Sequence, residues 1–239
     1  IQITSLDFNK KWTFSNVDEL LRSSDPELRF YQVVIDYMSK TLSKSLLKTQ
    51  LKTQLKSRGF SLVTRSQSPV GGGLGGSSSM MIGVLRAFHQ WSGLKTPEDL
   101  KLVEVAHHLE ARILNTPTGT QDYFPAIRPG IHILKYSANG IEQEILDSSA
   151  LEGSFLLAYT GQSHHSGLNN FEVMTRAVQK NSETLAALKE LATVAEEMEA
   201  ELKNKRLDLI PCLFERDYQW RVQLSPAFSF QKKKKIRKL

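Results

Sequence analysis

Apolar and polar positions recur along this chain with two periods, a strand-like alternation that dominates early and a helical spacing that dominates late. Residues 1–14 mix β-formers with turn residues and predict a strand with its connection, followed by a short helical turn over 15–21. Asp25-Pro26-Glu27 is a helix start, because proline fits the first turn and an acid favours a helix N-terminus; the pattern then predicts helix over 26–56. Within that span Leu47, Leu51 and Leu55 recur every four residues, which aligns them as one apolar stripe. A solvated helix with one apolar face is the reading, and a partner-binding helix is the alternative. Gly59 closes the span, and Phe60-Ser61-Leu62-Val63-Thr64 alternates as a strand.

Beyond a glycine-rich stretch, residues 80–91 predict an apolar helix, and Thr96-Pro97-Glu98-Asp99 opens another that runs to about residue 113. Residues 131–136 and 141–146 are two strand-like runs around Ala138-Asn139-Gly140, a strong hairpin signal. Residues 154–160 read as a buried strand, and 168–205 as helix interrupted near Asn181-Ser182. Strands first and helices later predict an α+β fold with two lobes rather than an alternating parallel sheet.

The chain has 239 residues, 40% of them hydrophobic, enough for one large core or two small ones. Its longest apolar runs, 80–84 and 155–159, are far shorter than the roughly 20 residues of a membrane span, and no membrane partner is expected. Lys232, Lys233, Lys234, Lys235, Arg237 and Lys238 account for the whole net charge of +6. The rest is balanced, so the charge does not point to a basic groove in the fold. No nucleic-acid partner is expected, although a binder acting through this tail is a third, weaker alternative. Its test is loss of affinity and of salt dependence when the tail is removed. The single Cys212 suits a reducing compartment, and the expected location is cytoplasmic.

The stretch Ser68-Pro69-Val70-Gly71-Gly72-Gly73-Leu74-Gly75-Gly76-Ser77-Ser78-Ser79 lies between a predicted strand and a predicted helix. Such a turn offers backbone N–H groups at the positive end of a helix dipole with no Cβ atoms in the way of a phosphate. A dinucleotide GxGxxG loop also needs an acid closing a second strand about 20 residues on, and that distance falls on Glu98 and Asp99 at a helix start. A Walker loop needs a lysine after its last glycine, and none is present. A flexible Gly/Ser linker is disfavoured by the strand and helix signals that abut it.

The stretch from Pro69 to Ser79 resembles the central motif of the GHMP kinases, Pro-x-x-x-Gly-Leu-Gly-Ser-Ser, with Gly76 where a first Ser or Thr often stands. Glu110 followed by Pro117-Thr118-Gly119-Thr120-Gln121-Asp122-Tyr123 looks like that superfamily's Glu, spacer, Pro-x-Gly-x-Gln-Asp pattern. Thr160-Gly161, then Ser166-Gly167-Leu168-Asn169-Asn170-Phe171-Glu172, is similar to a landmark of its galactokinase and heptose-phosphate kinase branch. Residues 207–210 and 220–226 look like that branch's late helical region.

The resemblance implies an ATP-dependent kinase of the two-lobed GHMP fold, with a ribosomal protein S5 domain 2-like first lobe and a ferredoxin-like, helix-rich second lobe. It implies an N-terminal lobe over 1–150, an incomplete C-terminal lobe over 151–229 and a basic tail over 230–239 expected to be disordered. It gives Pro69, Gly71, Gly72, Gly73, Leu74, Gly75, Gly76, Ser77 and Ser78 to the ATP phosphates, Ser77 and Glu110 to Mg²⁺, and Asp122 to the acceptor hydroxyl. Gly119, Gln121, Asp122, Tyr123, His164 and His165 would meet the substrate. The implied cofactors are ATP and Mg²⁺ and the implied partner is a sugar or sugar phosphate; a homodimer is left open. His107 and Glu110 share a helix face, but no third residue completes a zinc site. The family's opening strand and loop and its closing glycine-rich loop find no match, so truncation at both ends is expected, with residues 230–239 foreign to the kinase. A non-catalytic, nucleotide-binding remnant is the rival reading.

Overall fold

The structure, a computed structural model, describes residues 1–44, 59–69, 71–159 and 166–225. The leucine repeat over 47–55, Val70, His164, His165 and the basic tail lie outside the described residues. The protein is α+β and divides into two compact units, Ile1–Pro129 and Gly130–Leu239.

In the first unit the opening residues form two strands, β1 (Gln2–Ser5) and β2 (Lys10–Thr13), where the sequence predicts one. They pair antiparallel with Ile3 opposite Trp12, and β3 (Ser61–Thr64) joins the other edge of β1 in parallel with Leu62 opposite Ile3. The sheet order is therefore β2-β1-β3. Helix α1 (Val17–Arg22) is capped by Asn16, whose side chain accepts the Glu19 N–H at 2.9 Å. A 3₁₀ turn at Pro26–Leu28 leads into α2 (Arg29–Lys44). Helices α3 (Gly76–Ser92), α4 (Asp99–Leu114) and the short α5 (Tyr123–Ile127) complete the unit.

Its core draws on every layer: Ile3 from β1, Leu28, Ile35 and Met38 around α2, Met81, Ile82 and Leu85 from α3, Leu102 from α4, and Tyr123 and Phe124 from α5 are all under 2% exposed. Two further contacts fix β3 against the helices. Tyr31 and Thr64 share a hydroxyl hydrogen bond of 2.6 Å, and Phe60, Phe88 and Trp91 stack edge to face with centroids 5.4 to 6.3 Å apart. The chain therefore leaves β3 in a fixed direction, straight into the glycine stretch.

The second unit opens with a hairpin, β4 (Ile131–Ser137) and β5 (Gly140–Leu146), in register from Ile131 opposite Leu146 to Ser137 opposite Gly140. Helices α6 (Ser166–Val178), α7 (Ser182–Lys203) and α8 (Ile210–Leu224) follow. The predicted break at Asn181-Ser182 is a helix junction, where Asn181 caps α7 by accepting the Thr184 N–H at 2.9 Å. The hairpin groups with the second unit. Lys135 pairs with Glu199 at 2.9 Å, and Lys203 pairs with both Glu144 and Glu199 at 2.6 and 2.8 Å, so charge fastens both strands to α7. The strand expected over 154–160 is absent from residues 154–159: Leu156 is 96% exposed, and the run pairs with no described strand.

Candidate active site

The glycine stretch is a turn followed directly by a helix. The Gly72 N–H donates to the Pro69 carbonyl at 2.9 Å, and a Cβ at Gly72 would stand 2.9 Å from that same oxygen, so only glycine fits the turn. Gly75, with φ +65°, is the N-cap of α3 and brings no capping side chain. The first bond of the helix runs from the Ser79 N–H to the Gly75 carbonyl at 2.9 Å. The N–H groups of the turn before it have no acceptor within the helix and lie at its positive end, an arrangement that suits an anion. The sequence pattern starts this helix at residue 80; the structure starts it at Gly76, inside the motif.

A small hydroxyl network supports the loop from below. The Ser66 N–H donates to Asp7 Oδ1 at 2.8 Å, and the Ser66 hydroxyl accepts the Ser68 N–H at 3.1 Å while donating to the Ser68 carbonyl at 3.0 Å. Ser68 presses on the start of α3, since a Cβ at Gly76 would lie 3.3 Å from its Oγ. Sequence reasoning missed these residues, because contacts spanning 59 residues leave no local spacing to detect.

Helix α4 buries Leu102, Val103, Ala106 and Leu109, and the same packing carries Glu110 inside, where it is 7% exposed. A buried carboxylate is costly unless donors surround it. Three hydroxyls do so: Ser77 Oγ donates to Oε1 at 2.6 Å, Ser78 Oγ to Oε2 at 3.1 Å, and the Tyr123 phenol also to Oε2. Burial, and then the Glu110 carboxylate beside it, hold the Tyr123 phenol well above the usual tyrosine value, so it remains a proton donor.

Asp122 immediately precedes α5 and makes no capping bond. It lies against the loop: a Cβ added to Gly75 would be 3.0 Å from Asp122 Cβ and 3.6 Å from its Oδ2. The residue keeps an exposed surface, yet loss of solvent around its carboxyl and the negative charge of Glu110 raise its pKa above the ordinary aspartate value. The approach to Asp122 is held by His107, whose Nε2 is 3.0 Å from the Thr118 carbonyl, and by Gln121, whose amide folds over Gly119.

Beside the loop, between β3 and α3, a cleft of about 470 Å³ is lined by Leu62, Thr64, Ser68, Leu74, Met80 and Gly83 among others. It is apolar along the helix and polar at the glycine end. Thus Gly75, Gly76, Ser77, Ser78, Glu110, Asp122 and Tyr123 come together at one end of α3, with Leu74 at the cleft mouth and Gly119 and Gln121 on the strand of chain leading to Asp122. The donor set suits a small hard cation: Ser77 Oγ and Glu110 Oε1 are both oxygens and already neighbours. Among the described residues no three of His, Cys, Asp and Glu converge as a metal cage, so phosphate oxygens would have to complete the shell, as is usual for Mg²⁺.

The family described as GHMP kinases N terminal domain matches residues 36–130. The D-glycero-alpha-D-manno-heptose 7-phosphate kinase of Campylobacter jejuni subsp. jejuni serotype O:2 is 36% identical over 80 residues, which cover 34% of this chain and 23% of that protein. The match therefore spans less than a quarter of this curated relative's length. Residues 36–130, which carry the glycine loop, Glu110 and Asp122 on one site, are thus similar to a GHMP kinase N-terminal domain.

Proposed function

We propose that this protein is an ATP-dependent small-molecule kinase that transfers the γ-phosphoryl group to a hydroxyl of a sugar or sugar phosphate. The observation that carries the reading is the meeting of three chemistries at the start of α3: free helix N–H groups, a hydroxyl–carboxylate pair at 2.6 Å, and an acid with a raised pKa. The heptose 7-phosphate kinase named above supports a sugar phosphate as the acceptor. In this reading the two units are the two lobes of the GHMP kinase architecture, and the enzyme works in the cytoplasm. No helix among the described residues is long and apolar enough to cross a membrane.

The glycine loop and the first turn of α3 bind the triphosphate, while the apolar cleft beside them takes the base. Ser77 and Glu110 would hold Mg²⁺, which when bound neutralises charge on the phosphate oxygens. Asp122 orients the acceptor hydroxyl in line with the γ-phosphorus and takes its proton as the new O–P bond forms and the bond to the β-phosphate oxygen breaks, leaving ADP. A carboxylate whose pKa has been raised accepts that proton more readily than an ordinary one.

The test is ATP consumption with Mg²⁺ against hexoses, heptoses and their phosphates, for the parent and for Asp122→Ala. Turnover should depend on one sugar and fall at least about 100-fold in the variant while Mg-ATP binding persists. Silence across the panel with Mg-ATP still bound would leave a nucleotide-binding module without turnover, and absence of nucleotide binding would overturn the reading altogether.

A further inference from the structure

The two oxygens of Glu110 are held unequally. Oε2 accepts from two residues inside the protein, Ser78, 5% exposed, and Tyr123, 0% exposed. Oε1 accepts from Ser77, which is exposed beside the glycine loop. A glutamate's terminal torsion is broad and soft, so a carboxylate at the end of three rotatable bonds keeps one orientation only if partners fix it. Here the two donors to Oε2 arrive from different elements, α3 and α5, and together they set the carboxylate plane. Tyr123 is also the residue after Asp122, so the short helix that seats the phenol also seats the acid. A ring buried on all sides has no face left for a substrate.

We propose that Tyr123 is a positioning residue: its buried hydroxyl anchors Glu110 Oε2 and thereby keeps Oε1 turned toward Ser77 and toward the divalent cation that accompanies the nucleotide. This rests on the kinase reading in taking Glu110 as the cation's ligand. Partners that orient a metal-binding carboxylate change metal affinity by about 10- to 100-fold when removed. A phenol that only filled space in the core would change stability and leave that affinity alone.

The experiment measures Mn²⁺ binding by electron paramagnetic resonance in the presence of a non-hydrolysable ATP analogue, at a temperature where circular dichroism shows both proteins folded. Tyr123→Phe keeps the ring and removes the donor. Its Mn²⁺ affinity should fall about 10- to 100-fold, while affinity for the analogue in EDTA stays at the parent's value. A folded variant that binds Mn²⁺ as the parent does overturns the role of Tyr123 and leaves the kinase reading standing. A parent that binds no Mn²⁺ with the analogue overturns the kinase reading, and this one with it. Should Tyr123→Phe not fold, Ser78→Ala removes the other donor to the same oxygen: weakened Mn²⁺ binding supports the anchoring of Oε2, and unchanged binding overturns it.

Discussion

Gly75 has a positive φ of 65°, and its missing side chain makes room for Asp122. An L-residue in that conformation costs roughly 1–2 kcal/mol, and a methyl group 3.0 Å from Asp122 Cβ must push the aspartate aside. Gly75→Ala is therefore expected to lower stability in urea unfolding by about 1–2 kcal/mol. It should also depress the phosphoryl-transfer rate well beyond that structural loss, because the displaced group is the proposed base. An alanine variant with parental turnover would show that the contact does not position Asp122. The three hydroxyls on Glu110 belong to the same scale. Ser77 and Glu110 are visible in the sequence as two parts of a motif, but their 2.6 Å contact requires a fold that brings residues 33 apart together.

Among the elements, α3 decides most of the site. Gly83 sits in its middle with nothing within 4 Å of where a Cβ would be, and it lines the cleft. Gly83→Ala should raise stability by about 0.5–1 kcal/mol, since glycine in a helix interior carries that penalty, and should weaken ATP binding because the added methyl enters the cleft. Calorimetry and nucleotide titration read the two effects separately; a stabilised variant with unchanged ATP affinity would place the base elsewhere. Period and punctuation made much of these elements legible. The strand at 61–64, the helix from Asp99, the hairpin around Gly140 and the helix junction at Asn181 all follow from local signals. What local signals did not reveal depends on distant partners. The apolar run at 154–159 has every property of a strand except a described neighbour to bond with. Helix α3 begins in the glycines because packing overrides their poor propensity. The bond from Tyr123 to Glu110 links the first residue of α5 to a residue of α4 with no recurring spacing to mark it.

At the scale of the molecule, each unit has its own interior, so a single unfolding transition is not expected. The second unit holds two apolar clusters, one of Val173, Ala187 and Leu224 and one of Val194, Ile210 and Leu213, and Trp220 packs against both. Trp220→Ala should destabilise that unit by about 3 kcal/mol, the lower end of the range for truncating a core tryptophan, because the indole is not fully enclosed. In calorimetry one transition should move down while the other stays; a joint shift would show that the units unfold as one. The sheet of the first unit has a further consequence, which concerns the order in which the chain is made. β1 and its antiparallel partner β2 lie within the first 13 residues, but its parallel partner β3 begins only at Ser61. Until β3 has left the ribosome, the central strand of the sheet has an open edge, and the glycine loop that follows β3 has no base on which to form. The parallel edge of β1 therefore stays open while α1 and α2 are being made, and the glycine loop can take its place only after the strand that delivers it has emerged.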